Sequence, residues 1–217
     1  MPDKSALNLL NWGKVEAHFL NRVQVSAKLI RRHNNNQIRA FAELAIGSEE
    51  DTGNYSAAEH RTIRPGIAEN PNWLGRVYTL AGQFKLLTDA SVVPDLISRA
   101  KIKYLQIGVG SEMSCMVNPD ICWVCNVRTI WLHLAWTKSP GKAEEELKQY
   151  REGASESDMA YMRWAEVYHP RIWETLVEVA AEGEDRVRTQ EIVVPAGKRF
   201  LWADAIAAYA YDSYHGK

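Results

Sequence analysis

Apolar positions recur at helical spacing along most of this chain. Over 5–31, Trp12, Phe19, Val23, Ala27 and Ile30 step round one face, and Leu9, Val15 and Leu20 widen it, which predicts one long helix. Leu7 and Leu10 fall off that face, so the first turns either meet another partner or fray. A polar break at His33–Asn36 precedes a second short helix over 37–46, and 47–54 is an acidic, turn-rich loop. From 55 to 72 the signals are irregular. Pro65-Gly66 reads as a type II turn pair, with at most one helical turn near 57–61. Helices are predicted again over 73–87, with Val77, Leu80, Phe84 and Leu87 on one face, and over 92–101.

The middle of the chain, 104–138, is the most apolar part and holds all three cysteines. Leu105, Ile107 and Val109 alternate, which predicts a strand over 103–109 whose only partner in reach is 191–194. Asn118-Pro119-Asp120 has the chemistry of a helix start: an amide to cap, a ring where no N–H is needed, and an acid at the positive end of the dipole. A central buried helix over 119–138 follows from it. Ser139-Pro140-Gly141 ends that helix and begins a solvated one over 142–151. Ser155–Asp158 resembles a capping box ahead of a helix carrying Met159, Met162, Trp164 and Tyr168. His169-Pro170 breaks or kinks it, the stripe resumes from Ile172 to Gly183, and 199–214 is the last helix. These elements predict an all-α fold. It is a single domain over 1–217, a bundle of about eight helices around a tryptophan-rich core, with at most one short two-stranded β element.

Composition narrows the function classes. A formal net charge of −1 over 217 residues gives no global pull toward nucleic acid or membrane, so any such contact must come from a local patch. The most apolar window, 121–136, is interrupted by Asn126, Arg128 and His133 and is too short to span a bilayer. Three cysteines do not make a disulfide framework, which points to a reducing, cytoplasmic compartment. Their spacing, Cys115-x6-Cys122-x2-Cys125, looks metal-like. On a continuous helix from Pro119, however, Cys125 and His133 would stand roughly 12 Å apart and could not share one zinc. No metal and no cofactor is expected. Gly108–Met113 superficially resembles a phosphate-binding glycine loop after a strand, but Met113 stands where the third glycine belongs.

The informative residues are the polar ones inside apolar segments. Glu112, Arg128, His133 and Asp204 must pair or change protonation if buried, so they are expected to be one another's partners. Arg128 in particular should find a carboxylate, Glu112 first and Asp204 second. Separately, Lys28, Arg31, Arg32 and Arg39 gather near the end of the first helix beside three asparagines, a combination that can hold phosphates. Two functional expectations follow. One is a non-catalytic helical interaction protein, a subunit of a larger assembly with a protein partner or a second copy, contacting nucleic acid through the basic helix end. The other is a small-molecule enzyme or ligand-binding protein with a buried polar pocket at Glu112, Arg128, His133 and Asp204. They differ in one observable: whether those four side chains line a cavity open to solvent.

Overall fold

The computed structural model describes residues 2–47, 54–58, 62–153, 164–188 and 192–216. The regular structure among those residues is all helical, with no strand and eleven α-helices instead of about eight. The helices are α1 (Trp12–Asn34), α2 (Ile38–Ala45), α3 (Tyr55–Ala58), α4 (Ile63–Ala68), α5 (Trp73–Lys85), α6 (Val93–Ala100), α7 (Ile107–Val117), α8 (Val127–Thr137), α9 (Pro140–Gly153), α10 (His169–Val187) and α11 (Arg199–Tyr214). A π-helical turn, Trp164–Tyr168, leads into α10. No helix among the described residues is long and apolar enough to cross a membrane.

Two helices form the centre. Every residue of α7 is buried, and α11 is buried on nearly all sides from Phe200 to Ala208. A helix that is apolar all round belongs inside. α11 packs against α1, α8 and α10, while α7 packs against α1, α3, α5 and α6. Trp131 and Trp202 are the largest fully buried side chains, and Phe19 and Trp12 lie against the Trp202 ring. Small residues let these helices approach. A Cβ on Gly110 would stand 2.5 Å from Ile97 Cδ1 of α6, and one on Gly183 would stand 2.5 Å from Ile206 Cδ1 of α11.

Those glycines explain two differences from the sequence expectation. The alternation over 103–109 is not a strand: residues 101–106 are turns, and Ile107 opens α7 with Gly108 and Gly110 inside it. The expected partner falls at 191–194, where residue 191 lies outside the described residues and 192–194 are irregular. Gly183 does not end a helix but lies within α10, where it is the contact point with α11. Pro65-Gly66 is likewise inside a helix, α4. Proline is tolerated in its first turn, and Gly66 lies against the Tyr104 ring, whose Cδ2 would be 2.3 Å from an added Cβ. His169-Pro170 opens α10, with Pro170 in its first turn. The capping box expected at 155–158 lies outside the described residues.

The central helix expected over 119–138 is shorter. α8 begins at Val127, and 118–126 is turn and extended chain. Asn118 is spent elsewhere: its side-chain amide donates to the carbonyls of Phe84 (3.1 Å) and Leu87 (2.9 Å), closing the end of α5. The working cap is Asn126. Its Oδ1 accepts from the N–H groups of Arg128 (3.0 Å) and Thr129 (3.2 Å), and Thr129 Oγ1 accepts from the Asn126 N–H (3.0 Å). The helical spacing used to separate Cys125 from His133 therefore does not apply. Cys115, Cys122 and Cys125 are buried free thiols, and burial pushes Cys122 up to about 12. The described residues contain no group of three or more His, Cys, Asp or Glu side chains placed to hold a metal.

The first helix also differs. It starts at Trp12 behind an Asn11 cap, after a 3-10 turn at Ser5–Leu7, and both Leu7 and Leu10 are buried. Its buried face is Val15, Phe19, Arg22, Val25, Ser26 and Leu29, whereas Leu9 and Leu20 are exposed. The core-facing stripe thus contains an arginine, and that arginine organises the site.

Candidate functional site

Arg22 is completely buried, and it lies between two carboxylates from the central helices. Its Nη2 is 2.8 Å from Glu112 Oε1 on α7 and 3.3 Å from Asp204 Oδ2 on α11. Burial works against the Arg22 charge, but Glu112 and Asp204 outweigh it and raise its pKa. The guanidinium also lies 5.0 Å from the centre of the Tyr55 ring.

The two acids have different duties. Glu112 is bonded several times over: besides Arg22, it accepts from the backbone N–H groups of Tyr55 (2.7 Å) and Ser56 (2.9 Å). It fixes the start of α3 and with it the Tyr55 ring. Asn54, buried beside it, donates through its amide to the Val109 carbonyl (2.9 Å), which joins the same segment to α7. Asp204 is bonded to Arg22 through one oxygen at the longer distance. Burial raises its pKa from 3.8 to about 6, with Arg22 and Arg128 opposing the shift and Glu112 adding to it. It is the less satisfied of the two anions.

Above this pair lies a cavity of about 500 Å³. Lys14, Ala17 and His18 come from successive turns of α1, and Asp204, Ala208 and Asp212 from successive turns of α11. Tyr55, Glu112, Asn126, Arg128 and Tyr209 complete the wall. The floor is deep: Glu112 is 1% and Asp204 6% exposed. The His18 ring lies tilted against Tyr55 (5.0 Å) and meets Tyr209 edge-on (5.8 Å). Burial, reinforced by the charge of Arg22, pulls His18 down to about 4, so it is neutral at pH 7. Asn126 positions the rim, because the cap that it forms sets the first turn of α8 and therefore Arg128.

Of the four residues expected to converge, three do. Glu112, Arg128 and Asp204 line this cavity. His133 does not. It lies further along α8, its Nδ1 2.8 Å from the hydroxyl of Thr175 on α10, and burial lowers its pKa. The pairing also differs. Glu112 and Asp204 are held by Arg22, and Arg128 faces a third carboxylate, Asp212, at 3.8 Å. Sequence reasoning missed Arg22 and His18, one turn apart on α1. The signal was present: Arg22 falls among Val15, Phe19, Val25 and Leu29 at helical spacing, the same criterion that singled out Asp204.

The basic helix end is distant from the cavity. Lys28, Arg31 and Arg32 lie at the other end of α1 from Lys14 and His18, and Arg39 lies on α2. Arg32 donates to the Ala40 carbonyl (2.7 Å) and Arg39 lies 3.3 Å from Glu43, so both are engaged within the chain. Arg31 is exposed and Lys28 is half-buried. No family model matches the chain, and no curated protein or solved structure matches it either, so the geometry of the site alone carries the functional argument.

Proposed function

We propose that the cavity between α1, α3, α8 and α11 is the binding site of a small polar molecule, with Asp204 as the group that receives it. The observation that carries this reading is the asymmetry of the two buried acids. Glu112 meets Arg22 and accepts from two backbone amides, while among the described residues Asp204 is paired with Arg22 through one oxygen and lines an open cavity. A purely structural ion cluster gains by closing over its weaker acid, since a half-satisfied buried charge costs free energy. Leaving that acid on a cavity wall makes sense where a ligand completes it. A volume near 500 Å³ is within the usual range of small-molecule sites, and a wall that is polar apart from Ala17 and Ala208 suits a polar ligand. A carboxyl group that titrates near pH 6 also exchanges protons readily at neutral pH, which suits acid–base work on the bound molecule.

The roles divide accordingly. Arg22 and Glu112 are positioning residues, Asn126 places the rim, and Lys14, His18, Arg128, Asp204 and Tyr209 present their side chains to the ligand. The test is a block of the cavity. Ala17 lines it and is exposed, so Ala17→Trp fills the opening without disturbing the core. Screened by ligand-observed NMR against a mixed panel of small polar compounds, the parent chain should show binders that Ala17→Trp loses. Identical responses from the two proteins across the panel would overturn the reading.

A further inference from the structure

Away from the cavity, a second buried polar group lies where α10 begins. His169 opens that helix directly behind the π-helical turn, and its side chain is completely buried. Neither ring nitrogen has a hydrogen-bond partner among the described residues. The ring is stacked on Trp123, 4.9 Å between centres and 25° between planes, and Phe200 of α11 lies 5.7 Å from the same Trp123 ring. Trp123 Nε1–H donates to the His169 carbonyl (3.0 Å), and the Cys125 thiol donates to the Trp164 carbonyl (3.6 Å). These contacts clip the irregular segment 122–126 to the π-turn and the first turn of α10. The segment is held separately to α7, because the Cys125 N–H donates to Ser111 Oγ (2.8 Å).

The titratable groups on the neighbouring elements are all engaged elsewhere, neutral or in water. Cys122 and Cys125, on the clipped segment, are thiols that burial keeps protonated. On α8, His133 is bonded to Thr175, and on α9, Glu146 accepts from the Tyr168 hydroxyl (2.8 Å). Glu166 on the π-turn, Arg171 and Glu174 on α10, and Arg199 on α11 are exposed. Burial is the one cause that displaces the His169 pKa, pulling it from 6.5 to about 4. An imidazolium at this place would carry two buried donors without an acceptor, an arrangement that costs more than opening a single turn.

We propose that this junction is an acid-released clip: protonation of His169 drives its ring out of the core, frees the start of α10 and uncovers Trp123 and Phe200. The proposal goes beyond the cavity reading and does not depend on it. The step takes up one proton from solvent and breaks no covalent bond. In the closed state the ring is held neutral, and in the open state it titrates at its ordinary value. The closed state is therefore fully favoured above pH 6.5, and the opening equilibrium grows about tenfold for each pH unit down to about 4. Trp123 and Phe200 are 8% and 7% exposed when the clip is closed, so release creates an apolar surface that is absent at neutral pH. The bond to Ser111 limits the opening. It keeps residue 125 on α7 and spares the Asn126 cap of α8.

The experiment follows amide and indole hydrogen exchange of the full chain by NMR between pH 7 and pH 4.5, corrected for the intrinsic pH dependence of exchange. Protection of the Trp123 indole N–H and of the first two turns of α10 should fall about a hundredfold from pH 6.5 to pH 4.5, while the amides of α7 keep theirs. His169→Phe retains the packing and removes both unpartnered nitrogens, so it should match the parent at pH 7 and lose the fall. His133→Gln, at the other histidine that touches α10, should retain it. A parent whose protection does not change, a fall that persists in His169→Phe, or an equal loss in α7 would each overturn the clip. Should His169→Phe not fold, the parent decides alone: a carbon-labelled His169 ring that takes up its proton while the Trp123 indole stays protected also overturns it.

Discussion

Arg22 and Arg128 border the same cavity from opposite depths, and they show how differently one residue type behaves. Arg22 has no contact with water and two carboxylates in reach, at 2.8 and 3.3 Å. Arg128 keeps part of its side chain in solvent and has a longer pair with Asp212. A buried charge has lost its hydration, so everything depends on its partners. A rim charge retains water as an alternative partner, so any one contact is worth little. Removing a floor group therefore costs the fold more than removing a rim group.

The comparison is broken most directly at Arg22. Arg22→Ala strands Glu112 and Asp204 in the core and should cost ~3–5 kcal/mol, the range for removing one partner of a buried pair. The measurement is the urea midpoint at pH 7. Adding Asp204→Asn to Arg22→Ala should recover part of that loss, and the coupling isolates the pair from the cavity left by the side chain. A midpoint unchanged in Arg22→Ala would mean that the floor is not a buried ion cluster.

Protonation gives the next effect. The folded-state pKa of Asp204 is raised from 3.8 to about 6, so its contribution to stability is fully present below pH 3.8 and lost as pH rises through about 6. His18 and His169 run the other way. Burial depresses both from 6.5 to about 4, so their contribution is present above pH 6.5 and lost as pH falls through about 4. The two trends oppose each other between pH 4 and 6. Asp204→Asn removes the opposing term, and its acid loss of stability should be steeper than the parent's. The stability of the parent relative to the variant should rise by on the order of 2 kcal/mol from pH 7 to pH 4. Parallel stability curves would show that Asp204 titrates normally.

At the rim, Arg128→Ala should cost at most about 1 kcal/mol in the same urea assay. An Arg128 buried against Glu112 or Asp204, the pairing that the sequence predicts, would cost ~3–5 kcal/mol, so this variant separates the two pictures. A loss as large as that of Arg22→Ala would place Arg128 on the floor with its neighbour.

Much of this was readable from the chain. The all-helical class follows from periodicity, and the runs over 37–46, 73–87, 92–101 and 199–214 correspond to α2, α5, α6 and α11. Glu112, Arg128 and Asp204 were found because each interrupts an apolar run. What was hidden has a common cause, namely side chains doing something other than their usual duty. Arg22 looks like a solvent-facing residue, so apolar spacing alone puts Leu9 and Leu20 on the buried face of α1 in place of Arg22. Asn118 has the chemistry of an N-cap but closes the end of α5, and α8 starts at Val127 behind Asn126. Gly110 and Gly183 look like turn signals but are points where helices touch. His133 shares its apolar setting with Arg128, yet helix rotation turns it toward Thr175. Position along a sequence does not record which of several faces a neighbour will cover.

The smallest stability effect belongs to the basic end of α1, and it tests the interaction reading. Arg31 is exposed and Lys28 half-buried at this helix end, and these two are the groups to remove. Their charges complement the negative end of the α1 dipole, but at exposed or half-exposed positions that is worth little. Lys28→Ala with Arg31→Ala should change stability by no more than about 0.5–1 kcal/mol. Nucleic-acid binding is the sharper measurement. If the two groups contact phosphates, the slope of log affinity against log salt should fall by roughly 1.4–1.8 in the double variant, since each neutralised phosphate contributes about 0.7 to 0.9. If the parent binds no nucleic acid at low salt, or if the slope is the same in both proteins, this end of α1 is a solvated helix terminus. Recognition would then be concentrated at the other end of the helix, where Lys14 and His18 line the cavity above Asp204.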